Sequence, residues 1–355
     1  MNARSSLSPR ELVLRTLRRK RADRMPVTLD VGASVGIGPA YLDVFARHGG
    51  SADPAEFLDY DIRIVDAPLS ATADDFSRWY ESVPEGTRFD EFGVGHVLSD
   101  TFPLGLDLHP WGRLTHCGEV HAYPFPAFEL QDATRLRLAE IHSRGYAASA
   151  ACGSINEWCY SLRGMDQFMI DLMLNHDMAE AILDRVVRLC IATGTALAGA
   201  GVDILCFYGD MGSQTSLLMG EPTWRQWILP RWKEIIRAVR SARPEAVVFY
   251  HSCGYVEPII PGLIEAGFDV LNPVQPESMD PFRIKKMYGR KISLWGGIGM
   301  QSTMLGADAA GVRRTTRELA TAWQEGGGGI VTIAQTLLPD VPWENVLAVI
   351  ESLRE

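Results

Sequence analysis

The sequence predicts an α/β fold, a (β/α)8 barrel with an N-terminal helical extension and an inserted lid region, and three observations carry that prediction. Short apolar runs recur along the chain, near-continuous rather than alternating, as parallel strands covered on both faces require. Helical patterns separate most of them. Polar or glycine residues follow the runs directly, on the rim where such barrels keep their chemistry. The 355-residue length suits one barrel with insertions.

The elements can be justified in order. Ser8-Pro9-Arg10-Glu11 offers an N-cap serine, a proline at the first helical position and a capping-box glutamate. Leu12, Val13, Leu14 and Leu17 give that helix an apolar side to about residue 19. The basic cluster at 18–21 is expected at its C-terminal end, where cations suit the dipole. Strands are expected at 25–31 (MPVTLDV), 62–67, 147–152, 202–208 (VDILCFY), 246–250, 269–272, 292–295 and 329–334 (GIVTIA). Helical spacing places one or two helices over 165–200 and further helices over 222–241, 256–266 and 308–324. Trp224, Trp227 and Trp232 in the second of these read as packing or subunit contacts. Residues 70–131 break the rhythm with Asp90-Glu91-Phe92-Gly93, several prolines and Trp111, Tyr123 and Phe125. They are expected to form short antiparallel strands near the barrel mouth, with the aromatic residues hinting at an apolar substrate moiety. No repeat or linker divides the chain, so 1–355 reads as one domain.

Composition narrows the function. The apolar and charged fractions, 46% and 22%, are those of an ordinary globular protein. A formal charge of −10 argues against nucleic acid as a partner and mildly against a highly anionic substrate. No apolar run reaches 18 residues, so no membrane span is expected. Residues 1–8 are polar and read as no secretory leader. The six cysteines form no C-x-x-C pair and read as reduced thiols, which points to a cytoplasmic enzyme. Cys117, Cys152, Cys159, Cys190 and Cys206 read as structural or inert.

His251 and Cys253 form the sharpest pair. Two apart on an extended segment, they point the same way. Imidazole and thiolate are the donors zinc prefers, and an open coordination position would activate a substrate thiol. The same tripeptide also fits a hydrogen-bonding histidine beside an inert cysteine. For a third ligand Asp210 and Glu157 rank first, with Cys152 and Cys206 on expected strands behind them; Gln335 is a poor zinc ligand. Asp210 equally fits a general acid or base, or a loop cap. Asp210, Glu157 and Gln335 are thus the candidates for chemistry. Tyr208, Gln214, Asn272, Gln275, Gly297 and Gln301 at the strand ends are the candidates for holding a small-molecule substrate.

These segments resemble the uroporphyrinogen decarboxylase superfamily over nearly the whole chain. The resemblance rests on His251-Ser252-Cys253-Gly254 with Pro258-Ile259-Ile260-Pro261, on Leu263-Ile264-Glu265-Ala266-Gly267, and on Asn272-Pro273-Val274-Gln275. Trp295-Gly296-Gly297-Ile298 with Gln301, Pro339-Asp340-Val341-Pro342-Trp343-Glu344-Asn345, Arg163-Gly164-Met165, and Gly209-Asp210 with Gly212 and Gln214 complete it. True decarboxylases of this superfamily carry an arginine-rich run after the first strand to grip substrate carboxylates; here Asp30-Val31-Gly32-Ala33-Ser34 stands there, without arginine. The chain is closer to the zinc-dependent methyltransferase branch, whose H-x-C pair His251 and Cys253 match. That branch takes its third ligand from a cysteine before the C-terminal Pro-x-Glu-Asn segment, where this chain has Gln335. The resemblance implies methyl transfer between a small methylated substrate or thiol and a corrinoid protein, with zinc assistance. No corrinoid-binding domain is read in the chain, so the corrinoid is expected on a partner protein. Pairing into a homodimer is implied as well. Two other readings stay open: a metal-independent lyase decarboxylating a smaller acid with Asp210 as acid or base, and a degenerate barrel that only binds a tetrapyrrole or a partner.

Overall fold

The computed structural model describes residues 6–50, 53–97 and 106–355. The polar residues 1–5, and 98–105 of the insertion, lie outside the described residues. Among the described residues there are ten strands: β1 (Ile62–Ile64), β2 (Arg88–Phe89), β3 (Gly95–Val97), β4 (Leu106–Leu108), β5 (Ala147–Ser154), β6 (Ile204–Tyr208), β7 (Val247–His251), β8 (Val270–Asn272), β9 (Ser293–Ile298) and β10 (Gly329–Ile333). Seven form one parallel sheet in the order β1-β5-β6-β7-β8-β9-β10, and β2-β3-β4 form a separate antiparallel sheet. The large sheet curls around a common interior. Ile62, Ala147, Ile204, Phe249, Val270, Trp295 and Ile330, one from each parallel strand, pack into a single buried cluster. Helices between successive strands cover the outside, which gives the (β/α)8-type barrel.

The expected first strand at 25–31 is corrected: the segment lies in the barrel wall, yet builds no regular ladder. Pro26 has no N–H to offer. Val27 N–H instead donates to the Asp61 carboxylate (2.7 Å), and Asp61 N–H to the Val27 carbonyl (2.8 Å). One side chain thereby replaces part of the ladder, satisfying backbone groups that would otherwise be buried unpaired.

The helix Pro9–Leu17 carries the expected capping box between Ser8 and Glu11. Its Val13 and Leu17 enter the interior cluster from below, at the N-terminal ends of the strands. The region expected as one helix over 222–241 is two, Glu221–Trp227 and Leu229–Ala242. Pro230 explains the break, since a proline inside a helix removes one hydrogen bond and crowds the preceding turn. Trp224, Trp227 and Trp232 are buried packing residues there. The insertion is closed at its base by paired bonds between Ser70 and Ala127 (2.9 and 3.0 Å). The expectation that its aromatic residues face a substrate is corrected. Trp111 and Tyr123 are buried against each other and against Phe125 and Trp79, forming a core of the insertion itself. No helix among the described residues is long and apolar enough to cross a membrane.

Candidate metal and active site

The site is assembled by two neighbouring staves. In the register of β6 and β7, Tyr208 stands opposite His251. Phe249 points into the barrel, so His251, two residues on, points the same way at the rim. Asp210 follows β6 by two residues and Cys253 follows β7 by two. The loops that carry them interlock: Met211 N–H donates to Ser252 Oγ (2.9 Å) and Tyr255 N–H to the Ser213 carbonyl (2.8 Å). Gly254, with φ +77°, makes this possible; a Cβ there would lie 2.5 Å from the Gly212 carbonyl oxygen.

His251 Nε2 lies 3.5 Å from Cys253 Sγ and 3.6 Å from Asp210 Oδ1, and the three ligand atoms all fall within 4.8 Å of one another. What aims them is Asn272, fully buried behind the imidazole. Its Nδ2 donates to the Trp295 carbonyl (3.0 Å), so its Oδ1 faces His251 Nδ1 at 2.5 Å. That oxygen can only accept. Nδ1 therefore carries the proton, and the Nε2 lone pair points at the thiol and the carboxylate. Fixing the outer nitrogen of a ligand imidazole in this way is what metal sites require. An N, S and O donor set at one rim fits a zinc ion with a position left for substrate.

The electrostatics suit a group that is silent until a cation arrives. Burial, with the Asp210 charge second, pushes the Cys253 thiol up to about 12, against a smaller opposing effect of the Gln335 amide. Gln335 Nε2 donates to the sulfur at 3.4 Å. Burial, again with the Asp210 charge second, pushes Glu157 up to about 7; its Oε1 accepts from Asp210 N–H (3.2 Å). A bound divalent cation would reverse both trends.

The structure thus brings Asp210, His251 and Cys253 into one cluster, with Glu157 one hydrogen bond behind Asp210 and Gln335 against the sulfur. The ring of Tyr208 lies against His251, centroids 5.3 Å apart, and its hydroxyl accepts from Ala33 N–H and Ser34. A small cavity of about 240 Å³ is lined in part by Glu157 and Tyr208, two residues that touch the cluster from the helix after β5 and from the end of β6. The other expected substrate contacts are placed differently. Asn272 is behind the imidazole, and Gln275 braces the turn by accepting from Gly254 N–H (3.1 Å). Gln214 accepts from Ser278 (3.3 Å) on an exposed loop, and Gln301, exposed in the short helix Met300–Leu305, donates its backbone N–H to Glu277 (3.1 Å). Gly297 lies inside β9 rather than past its end, and a Cβ there would meet the Trp323 ring at 2.9 Å, so helix packing accounts for the glycine. Cys152 and Cys206 are buried in the barrel wall and outside the cluster.

The role of Asn272 as orienter was missed in the sequence; its place opposite His251 on the next stave was the available signal. Residues 107–112 (DLHPWG) also spell the D-x-H-x-x-G pattern of corrinoid-binding domains. The run begins inside β4 of an antiparallel sheet, where Asp107 pairs with His96 (2.8 Å), and His109 Nδ1 is bonded to the Ser161 carbonyl (2.7 Å) of the helix after β5, so the run ties the insertion to the barrel.

Comparison with known proteins places the chain in a family. Residues 129–355 match the uroporphyrinogen decarboxylase (URO-D) family. Two curated relatives, both the methylcobamide:CoM methyltransferase MtaA of Methanosarcina barkeri, are 26% identical over 179 residues, 50% of this chain. The match takes in 49% of their length, so the chain spans about half of these relatives. Among solved structures, a methyltransferase from Methanosarcina mazei superposes with a TM-score of 0.68 over 98% of both chains at 17% identity, a likeness of fold.

Proposed function

The chain belongs to the uroporphyrinogen decarboxylase family, and on that premise we propose that it is a zinc-assisted methyltransferase moving a methyl group between a corrinoid protein and a small thiol or methylated substrate. The observation that carries this reading is the orientation of His251 Nε2, held toward Cys253 Sγ and Asp210 Oδ1 by Asn272. Asp210 takes the place of the third thiolate, since Gln335 stands where the methyltransferase branch has a cysteine. A zinc ion bound there would supply Lewis acidity toward a substrate heteroatom. In the direction of thiol methylation, the sulfur would gain the methyl group and release its proton to solvent. The carbon–cobalt bond breaks with its electron pair left on cobalt, which passes from Co(III) to Co(I). The chain's own residues position that sulfur, keep Asp210 fixed through Glu157, and shape the cavity for the rest of the substrate. The proposed setting is the cytoplasm, with the corrinoid carried by a partner protein.

The test is metal content and methyl transfer measured together. Purified protein offered zinc should hold one equivalent and demethylate methylcobalamin in the presence of a thiol. His251→Ala and Cys253→Ala should lose both. Protein that refuses zinc contradicts the proposal.

A second reading is favoured by one observation. Glu157, held near pH 7 beside Asp210, is poised as an acid or base for decarboxylating a small acid without metal. Turnover of an acid that survives chelation but falls with Glu157→Gln as well as with Asp210→Asn would select it.

A further inference from the structure

The cavity beside the metal-ligand cluster bears on which thiol the enzyme takes. Two of its lining residues touch the cluster, Glu157 by accepting from Asp210 N–H and Tyr208 by its ring against His251, so it lies within reach of the tail of a substrate whose sulfur sits at Asp210, His251 and Cys253. Glu91 from the insertion and Trp158 from the helix after β5 complete its polar and aromatic lining. Among the described residues, no lysine or arginine lines this cavity. Thr193, 2% exposed, lines it as well, and its hydroxyl has no hydrogen-bond partner. A buried hydroxyl without a partner is costly unless a ligand or water supplies one.

An anionic tail would face the Glu91 carboxylate and the Glu157 carboxyl with no lysine or arginine to offset them. An ammonium tail would meet the carboxylates directly, with two aromatic rings adding the attraction of their π-systems for cations. The volume, about 240 Å³, falls below the ~300 Å³ where pockets for drug-sized ligands begin, so the tail is short.

We infer that this cavity receives the tail of the thiol substrate and selects a short ammonium-tailed thiol over an anionic one such as a sulfonate. The assignment of the sulfur end rests on the methyl-transfer reading; the charge preference of the cavity rests on its walls alone.

Three thiols with one head and different tails test it: cysteamine, 2-mercaptoethanol and 2-mercaptoethanesulfonate, titrated calorimetrically into the zinc-loaded full-length protein. Affinity should fall in that order, with cysteamine about tenfold or more tighter than the sulfonate. Glu91→Gln should bring cysteamine and 2-mercaptoethanol closer together while zinc stoichiometry stays unchanged. Equal affinities, a tighter sulfonate, or a Glu91→Gln variant with an unaltered ratio would overturn the inference. Failure of the methyl-transfer reading shows separately, as thiol binding that ignores zinc. In that event ethylammonium and ethanesulfonate, compared by ligand-observed NMR on metal-free protein, still read the cavity: preference for ethylammonium supports it, and preference for ethanesulfonate refutes it.

Discussion

One strand, β6, has an aspartate just beyond each end, and the two have opposite fates. Asp203, at the bottom, is fully buried. Arg10 donates to both of its oxygens (2.8 and 3.0 Å), His142 Nε2 lies 3.0 Å away, Ala148 N–H donates at 3.1 Å, and Arg243 stands at 3.5 Å. Asp210, at the top, is 43% exposed. It accepts from Cys253 N–H (2.8 Å) and faces a histidine lone pair. Among the described residues no lysine or arginine pairs with it. Both ends thus offer a carboxylate near an imidazole. The bottom spends its lone pairs on protein donors and becomes a rivet under the helix Pro9–Leu17. The top leaves lone pairs of nitrogen, sulfur and oxygen aimed at one point, which costs stability and creates a place for a cation. What separates a structural polar cluster from a functional one here is the number of unspent donors, not the residue types.

The contrast breaks most visibly if the two aspartates are removed in turn. Asp203→Ala leaves Arg10 and Arg243 facing an apolar gap and should destabilise the fold by about 3–5 kcal/mol, the usual cost of stripping one partner from a buried ion pair. Asp210→Ala should change stability by about 1 kcal/mol or less while abolishing stoichiometric zinc binding. Urea unfolding and metal analysis of both variants check the pair, and equal stability losses would erase the distinction. Asn272→Leu sharpens it next. Without the acceptor behind Nδ1 the imidazole loses its fixed tautomer, and zinc affinity should fall about 10–100-fold, read by chelator competition.

Glu157 gives a smaller and pH-dependent effect. Its folded-state value of about 7 lies above the ordinary 4.5, so the folded protein binds that proton more tightly than the unfolded chain. In metal-free protein, stability should therefore decline as pH rises from about 4.5 to about 7, by an amount on the order of 1–2 kcal/mol once solvent screening is allowed for. Glu157→Gln should flatten that part of the profile in denaturant melts. The smallest signal is a proton count. With the Cys253 thiol pushed up to about 12, zinc binding at pH 7.5 should release about one proton, seen as a buffer-dependent heat in calorimetry.

Much of this was legible in the sequence because it is periodic or local. Near-continuous apolar runs such as ILCFY in β6 and VVFYH in β7 announce strands buried on both faces, and Ser8 with Glu11 announces a helix start. His251 and Cys253 could be paired because a two-residue offset fixes their common direction. Pro26 and Pro230 mark where that reading failed. In both places a missing N–H breaks a regular pattern that hydropathy alone continues. The lid aromatics failed differently, since Trp111 and Tyr123 are apolar whether they face a substrate or each other.

The sequence by itself determined the barrel, the rim of the candidate site and two of the three side chains that converge there. Each follows from the spacing of residues along one element. Only the tertiary structure decided that Asp210 rather than Glu157 completes the cluster, that Asn272 sets the imidazole's proton, and that Glu91 shares a cavity with Glu157. Those relations join residues 43, 21 and 66 positions apart, counted between Asp210 and Cys253, His251 and Asn272, and Glu91 and Glu157. Distance and direction between staves are fixed by barrel register and loop packing, and no pattern within a single segment encodes them.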